Sequence, residues 1–175
     1  MRTPRSSIQA VLVVGVLVIT SLLINPNRAT AGTPVQGPIS TDTSWTVDGS
    51  PYWVEGDVVV LSPANLTVEP GVEVFFNGLY AIYVEGVLYS VGTPASAIDY
   101  TSNLSTPSPG DWKGLQVNAT GRATIRHTNI TYSTRGIVLE GSSNNTVANA
   151  YIALNSDSGI AMLNESSGNL IESND

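Results

Sequence analysis

The stretch GIVLEGSSNNTV at residues 136–147 is followed by a loose copy, GIAMLNESSGNLI, at residues 159–171. Aliphatic residues recur with the same spacing, because Ile125, Val147 and Ile171 lie 22 and 24 residues apart. Self-similarity at a fixed period of this length is the signature of a solenoid, in which each repeat is one unit stacked on its neighbour. The pattern therefore predicts coils of roughly 22–24 residues.

The apolar runs within each repeat are short and rich in β-branched residues, and Ser, Asn and Gly separate them. After residue 24, no segment sustains a helical apolar period over three turns. Antiparallel hairpins would not keep a translational period, so we expect an all-β parallel β-helix. The residues expected to stack inward are Ile125, Ile130, Ile137, Val147, Ile152, Ile160 and Ile171. Turn asparagines are expected to adopt left-handed geometry or to bond neighbouring amides, and they are Asn144, Asn145, Asn155 and Asn169.

The chain divides into three parts. Residues 1–31 are predicted to be a signal peptide, residues 32–51 an N-terminal linker and cap, and residues 52–175 a single β-helix domain. Its coils are expected at 52–71, 72–92, 93–121, 122–144 and 145–168, with an incomplete coil from residue 169. That last coil has no capping segment in the sequence, so we expect either a longer protein or end-to-end pairing of two copies.

The N-terminus has the features of a secretory signal. Arg2 and Arg5 precede an apolar run of 15 residues, which as a helix is about 22 Å long and shorter than the roughly 30 Å hydrocarbon core of a membrane. Ala29 and Ala31 have the small-x-small spacing of a cleavage site before Gly32. We expect a cleaved signal and a secreted, extracellular or cell-surface protein, periplasmic if the host has an outer membrane; retention as an anchor is the alternative.

Charge and cysteine content exclude several classes of protein. After residue 31, four basic residues face fourteen acidic ones, a net charge of −10. Nucleic acid is not an expected partner, because no basic patch is present to displace counterions from phosphates. No membrane contact beyond the signal segment is expected. The chain has no cysteine, so packing and backbone hydrogen bonds must stabilise it without disulfides.

Several phrases together resemble a known superfamily. They are LTVEPG at 66–71, PGDWKG at 109–114 and TIRHTNITYSTRGIVLEGSSNNTV at 124–147. The chain looks like secreted right-handed parallel β-helix proteins of the NosD-like and pectate-lyase-like superfamily. This resemblance implies a right-handed, single-stranded β-helix and an extracytoplasmic setting, and it implies little about activity, because this scaffold carries many functions.

The chemistry that the resemblance suggests is only weakly supported by the residues. NosD-like proteins are described as factors for copper-site assembly, but His127 and Met162 are too few soft ligands, and we expect neither metal nor cofactor. Pectate-lyase-like enzymes use clustered carboxylates, whereas Asp99, Asp111 and Asp157 stand alone. The nearest constellation is Arg126 and Arg135 with Glu140 and Asp157. A lyase or hydrolase and a copper accessory factor remain the alternatives.

A structural or recognition role is the leading hypothesis, with polysaccharide or cell-envelope glycan as ligand. The chain is rich in aromatic residues for a small polar domain, and rings on a flat β-helix face can stack on sugars. The candidate ligand contacts are Trp112, Tyr100, Tyr132 and Tyr151. Trp112 is also expected to clamp an insertion at 103–110, beside which binding is most expected.

The chain also carries many acceptor triplets for N-linked glycosylation. Asn65, Asn103, Asn118, Asn129, Asn144 and Asn164 each begin an Asn-x-Ser/Thr sequon, which is six of the twelve asparagines after residue 31. The turns of a β-helix also favour Asn, Ser and Thr for backbone reasons. The sequence leaves both explanations open.

Overall fold

The computed structural model describes residues 32–175, which form sixteen β-strands and one turn of 3-10 helix at Val47–Gly49. The predicted signal peptide at 1–31, with Ala31 of the cleavage site, lies outside the described residues. Every strand-to-strand pairing is parallel, and each strand pairs with strands of the coils before or after it. The predicted all-β parallel solenoid is therefore confirmed.

Each coil contributes strands to three faces. The first face consists of β2 (Thr43–Trp45), β4 (Asn65–Val68), β7 (Val87–Val91), β10 (Arg122–Arg126), β13 (Thr146–Ala148) and β16 (Leu170–Glu172). The second face consists of β5 (Glu73–Phe76), β8 (Ile98–Ser102), β11 (Thr128–Thr131) and β14 (Tyr151–Ala153). The third face consists of β6 (Ala81–Val84), β9 (Gly114–Val117), β12 (Arg135–Glu140) and β15 (Ser158–Leu163). The longer strands β1 (Thr33–Ile39) and β3 (Tyr52–Val60) pair with each other, and β3 continues into both the second and the third face.

The turns between these faces form three corners that run along the solenoid. The first corner joins the first face to the second and contains His127. The second corner joins the second face to the third and contains the longest connection, residues 103–113. The third corner joins the third face to the first through turns 61–64, 85–86, 118–121, 141–145 and 164–169.

The predicted aliphatic columns are present. Ile125 pairs with Val147 and Val147 with Ile171, while Ile130 pairs with Ile152 and Ile137 with Ile160. The first member of each column is fully buried, and Ile152 and Ile160 pack against the core with partial exposure. Ile171 in the last coil is 36% exposed, so burial decreases along each column towards the C-terminal end.

The repeated glycine in the quoted phrases is a steric requirement. A Cβ atom on Gly136 would lie 2.5 Å from the carbonyl oxygen of Gly159 and 2.6 Å from Cγ2 of Ile152. On Gly159, a Cβ atom would lie 3.3 Å from the same methyl group. At Gly136 the stacked coils approach too closely for a side chain, whereas at Gly159 the methyl group of Ile152 would need to move by a few tenths of an ångström.

The serines and asparagines of the repeat stack on each other. The Ser142 amide donates to Ser166 Oγ at 3.1 Å, and the Asn145 amide donates to Asn169 Oδ1 at 2.8 Å. Two further predicted turn residues behave as expected. Asn155 Oδ1 accepts from the backbone of the preceding coil, and Asn144 has a left-handed φ of 59°.

Residues 32–51, the predicted N-terminal linker and cap, contain two strands that stack on the following coil. β1 pairs along β3, and β2 pairs with β4. The Thr33 amide donates to Pro51, and Ile39 accepts from Leu61, so odd-numbered residues of β1 face β3. Strand alternation then directs Pro34 and Pro38 to the outer edge of β1, which pairs with no strand of residues 32–175, so that no N–H is needed there. The prolines that suggested a linker are compatible with an edge strand.

Candidate functional site

Two of the four predicted aromatic contacts lie in the core, which corrects the expectation that they meet a ligand. Trp112 is fully buried, stacks on Phe76 with centroids 3.9 Å apart, and donates its indole N–H to the Thr131 carbonyl at 2.8 Å. Tyr100 is also fully buried and donates its hydroxyl to Ser90 Oγ at 3.1 Å. Burial raises the pKa of Tyr100 well above its usual range, although the hydrogen bond with Ser90 opposes the shift. Neither ring offers a surface to a ligand.

The burial of Trp112 agrees with its second predicted role, as a clamp for the insertion. At the base of the insertion, the amides of Gly110 and Asp111 donate to the Tyr132 carbonyl at 3.1 and 2.9 Å. Trp112 itself forms a β-bridge with Ser133. The insertion is thus tied to the coil that follows it at the second corner.

The other two predicted contacts lie at opposite edges of the second face. Tyr132 follows β11 at the second corner, has a left-handed φ of 62° and is half-buried. Tyr151 begins β14 next to the first corner and is 48% exposed. The structure does not bring them together, and Tyr151 is the more exposed candidate.

The outer surface of the second face carries an aromatic column that the sequence analysis missed. Trp53 of β3 and Phe75 of β5 are in register and stack with centroids 5.2 Å apart at an interplanar angle of 26°. Phe75 pairs with Thr101, whose hydroxyl lies 2.9 Å from that of Thr131 in the next coil. All four are partly exposed. Two rings are therefore followed, one coil at a time, by two hydroxyl groups.

A second, polar column runs beside the first. Glu73, Asp99, Asn129 and Tyr151 pair in register through four successive strands of the second face. Asn129 Nδ2 donates to Asp99 Oδ1 at 2.6 Å, which orients the amide. Neighbouring strands are about 4.8 Å apart, so carboxylate, amide and phenol groups recur at that step.

A groove of about 330 Å³ opens where this polar column meets the first corner. Asn129 and Tyr151 belong to both the column and the groove, and His127 lies in its wall with a left-handed φ of 46°. Its lining is completed by Thr93, Pro94, Ala97, Asn149, Ala150, Ser173 and Asp175. The groove has the size of a small-ligand site and none of its ten lining residues is Lys or Arg.

The predicted charged constellation is only partly assembled. Arg135 Nε contacts Asp157 Oδ2 at 2.5 Å on the third-face side, and these two are neighbours in successive coils. A second pair, Lys113 with Asp57 at 3.1 Å, lies on the same side. The hydrogen bond with Asp57 raises the pKa of Lys113. The side chains of both pairs are exposed to solvent, and ion pairs in such a setting contribute little to stability.

Comparison with known proteins agrees with this architecture. Residues 95–175 match the family described as periplasmic copper-binding protein (NosD). A segment of 70 residues is 40% identical to "Protein bark beetle" of Drosophila melanogaster; it covers 40% of this chain and 2% of that protein. No solved structure matches.

The parallel solenoid defines the class of protein, and the family match narrows it. The described chain is a parallel β-helix, and its residues 95–175 are similar to the NosD family. The matched segment spans only 2% of the Drosophila relative, so the properties of that protein are not assigned to this chain.

The residues present do not fit a copper ion. Across residues 32–175, no three His, Cys, Asp or Glu side chains are grouped to hold a metal. His127 lies at the first corner, while Met162 lies on β15 of the third face and is 55% exposed. Copper prefers imidazole and sulfur ligands, and these two are not combined in one site.

None of the described residues forms a helix with the length and apolar character needed to cross a membrane.

The groove and the two columns on the second face form the candidate site. The signal that could have located them is coil alignment: placing EVFF, IDYTS, TNIT and YIA in register puts Glu73, Asp99, Asn129 and Tyr151 in one outward column.

Proposed function

We propose that this chain is an exported recognition module that binds polysaccharide along the outer surface of the second face. The observation that carries the proposal is the pair of columns, stacked rings beside hydrogen-bonding groups, that leads into the groove at Tyr151. Sugar rings stack their apolar sides on aromatic rings and bond through hydroxyls to amides, carboxylates and phenols. A sugar unit in an extended chain is about as long as one coil-to-coil step, so successive units could contact successive coils.

The charges of this face favour a neutral glycan over an acidic one. Glu73 and Asp99 are neighbours in the polar column, and the chain after residue 31 has a net charge of −10. A polyuronate would bring carboxylates against these carboxylates without a cationic partner among the groove residues. This argues for binding of neutral sugars and against a polyuronate lyase.

Export is supported by two independent features. The first 31 residues have the charge, apolar run and small-residue spacing of a signal peptide. The matched family is described as periplasmic. A polar β-helix with no cysteine is compatible with that setting, since its stability does not depend on the redox state of the compartment.

The test is a binding measurement on the processed protein, residues 32–175, first on a glycan array and then by calorimetry with the best neutral oligosaccharide. Tyr151→Ala should weaken binding about ten-fold or more, because the ring lies where the polar column meets the groove. Trp53→Ala should also weaken it. Tyr89→Ala is the matched control, because Tyr89 is 44% exposed but lies on the first face.

Failure of the processed protein to bind any neutral glycan would contradict the proposal. Equal effects of Tyr151→Ala and Tyr89→Ala would contradict the location of the site. Preference for acidic glycans would contradict the charge argument and would favour the alternative hypothesis, a polysaccharide lyase.

The family match supports a second candidate, an accessory role in assembling a copper site in the periplasm. In that role this chain would act through protein contacts, because its described residues do not group copper ligands. Titration of the processed protein with Cu(I) and Cu(II) distinguishes an action through protein contacts from direct binding of the metal. Tight stoichiometric binding that His127→Gln abolishes would show that the chain handles the metal itself.

A further inference from the structure

Ten of the twelve asparagines after residue 31 fall into two classes. In the first class the side-chain oxygen accepts a backbone amide from the preceding coil: Asn145 from Ala123, Asn155 from Ser133, Asn169 from Asn145 and Asn174 from Ala150, at 2.7 to 2.9 Å. These four residues are the ones that the β-helix turns require, and we call them the ladder asparagines. Of these, Asn145, Asn155 and Asn169 do not begin a sequon.

The sequon asparagines form the second class and behave differently. Where their side chains donate, the acceptors are other side chains: Asn65 to Asp42, Asn103 to Asn77, Asn129 to Asp99 and Asn164 to Glu140. Within residues 32–175, the side chains of Asn118 and Asn144 make no hydrogen bond. The ladder explains its four asparagines, and left-handed φ values of 59° and 50° favour asparagine at Asn144 and Asn164. The sequon asparagines take no part in the ladder.

The sequons are also concentrated in one place. Asn118, Asn144 and Asn164 lie in successive turns of the third corner, and Asn65 begins the strand that follows an earlier turn of the same corner. Asn144 and Asn164 are exposed, and Asn118 is half-buried. Asn65 is the most constrained of these, because both its amide and its Nδ2 donate to Asp42 Oδ1.

We propose that the exported protein carries N-linked oligosaccharide on the third corner, at Asn118, Asn144 and Asn164. The sugar donor is an oligosaccharide linked to a polyprenyl diphosphate in the export membrane. Asn Nδ2 forms a bond to the anomeric carbon, the bond from that carbon to the diphosphate oxygen breaks, and the polyprenyl diphosphate leaves with the electron pair. The amide nitrogen gives one proton to a base of the transferase.

The arrangement keeps the glycans away from the candidate binding surface. The groove lies at the first corner, whereas the third corner lies at the far edge of the first face. Asn129 is the exception among the sequons, since it lines the groove and is bonded to Asp99. A glycan on Asn129 would fill the groove, so this site is expected to remain unmodified.

Because the modification requires export, the proposal rests on the export part of the proposed function. The experiment is peptide mass spectrometry of the protein purified from its own source, before and after enzymatic deglycosylation. Glycan is expected on at least one of Asn118, Asn144 and Asn164, and no glycan is expected on Asn129.

Two neighbouring residues provide a matched pair of variants. Asn144→Asp should remove one glycan mass and leave the melting temperature nearly unchanged, because Asp tolerates left-handed geometry at this exposed turn. Asn145→Asp should retain the glycan and lower the melting temperature by at least about 5 °C, since it places a carboxylate in a buried ladder position. Thr146→Val, which removes the sequon hydroxyl and suits a strand, should give the same mass loss as Asn144→Asp.

Exported protein with all three asparagines unmodified would overturn this proposal alone. Recovery of the protein only from the cytosol, with residues 1–31 retained, would overturn both this proposal and export. Glycan on Asn129, together with unmodified asparagines at the third corner, would contradict both the glycosylation of the third corner and the use of the groove as a binding site.

Discussion

The coils before and after Arg122 are held in register by different interactions. In residues 33–117, here called the apolar coils, stacked aromatic rings lie in the interior among aliphatic side chains. Trp45 stacks on Tyr52 and Phe76 on Trp112, with centroids 4.8 and 3.9 Å apart. Burial of such large rings contributes strongly to the stability of this half.

In residues 122–175, here called the asparagine coils, the interior is aliphatic and the turns carry polar ladders. Asn145 and Asn169 connect three successive coils through their side-chain oxygens. The acceptors in the apolar coils point the other way, since Asp42 and Asp57 of an earlier coil accept the amides of Asn65 and Ala81 in the next coil. The same coil geometry is thus maintained either by interior volume or by directional hydrogen bonds, and these should fail under different substitutions.

The largest expected effect comes from removing a ring of the apolar coils. Trp112→Ala should lower the free energy of unfolding by about 3–5 kcal/mol, because it leaves a cavity beside Phe76 and removes the hydrogen bond to Thr131. Chemical denaturation monitored by circular dichroism measures this loss. Trp53→Ala is the control, since this half-exposed outer ring leaves no interior cavity and should cost less than half as much. Equal losses would show that interior rings do not dominate this half.

A smaller loss is expected from breaking a ladder in the asparagine coils. Asn145→Ala should lower the free energy of unfolding by about 1–3 kcal/mol, because the buried amide of Ala123 loses its acceptor. Asn118→Ala in the preceding coil should change it by less than about 0.5 kcal/mol, since that side chain makes no hydrogen bond within residues 32–175. If both variants behave alike, the ladder is not what holds these coils in register.

The junction between the two halves should respond to alkaline pH. Tyr100 lies there with Ser90 and Thr128 in a buried hydroxyl cluster, and burial raises its pKa. Above its ordinary pKa of 10.0 the unfolded chain loses the phenolic proton while the folded chain retains it. Stability is therefore present below that pH and falls as pH rises, by about 1.4 kcal/mol per pH unit.

The measurement is the free energy of unfolding of the native protein and of Tyr100→Phe between pH 8 and roughly 12. Tyr100→Phe should be less stable at pH 8, by about 1 kcal/mol for the lost hydrogen bond, and the difference should shrink and reverse above pH 10. Parallel pH curves for the two proteins would contradict the buried, protonated phenol.

The smallest expected effects come from the ion pairs, which occur in both halves. Lys113→Met and Arg135→Met should each cost less than about 1 kcal/mol, because the pairs with Asp57 and Asp157 are exposed. The pKa of Lys113 is raised by its hydrogen bond with Asp57. Its contribution is therefore present at neutral pH and is lost as pH rises past the ordinary lysine value of 10.5. A loss above about 2 kcal/mol for either variant would mean that charge, and not packing or ladders, sets the register.

The sequence predicted the asparagine coils better than the apolar coils, for a physical reason. In the asparagine coils, each position repeats the same residue type, so the columns through Ile125 and Ile130 could be read directly. In the apolar coils, the same inward position is filled by residues of different size, for example Tyr52, Val74 and Tyr100. The residues at one inward position therefore differ in shape from coil to coil, although the strands keep the same register.

The candidate site was harder to predict, because the alternation of residues along a strand does not say which of the two alternating sets faces the core. Tyr100 pairs with Val74, whose neighbours Val72 and Phe76 are also buried, so Tyr100 must point inward. The adjacent Asp99 then points outward, beside Asn129. These positions depend on the register between distant coils, which the insertion at 103–110 obscures in the sequence. The groove at the first corner depends on the same register.

Pro34 and Pro38 have a consequence for how copies of this protein can associate. They leave few free N–H groups on the outer edge of β1, so that end of the solenoid is a poor template for another strand. Within residues 32–175 no strand pairs with the outer edge of β1, and its two prolines oppose the addition of a strand from a second molecule there.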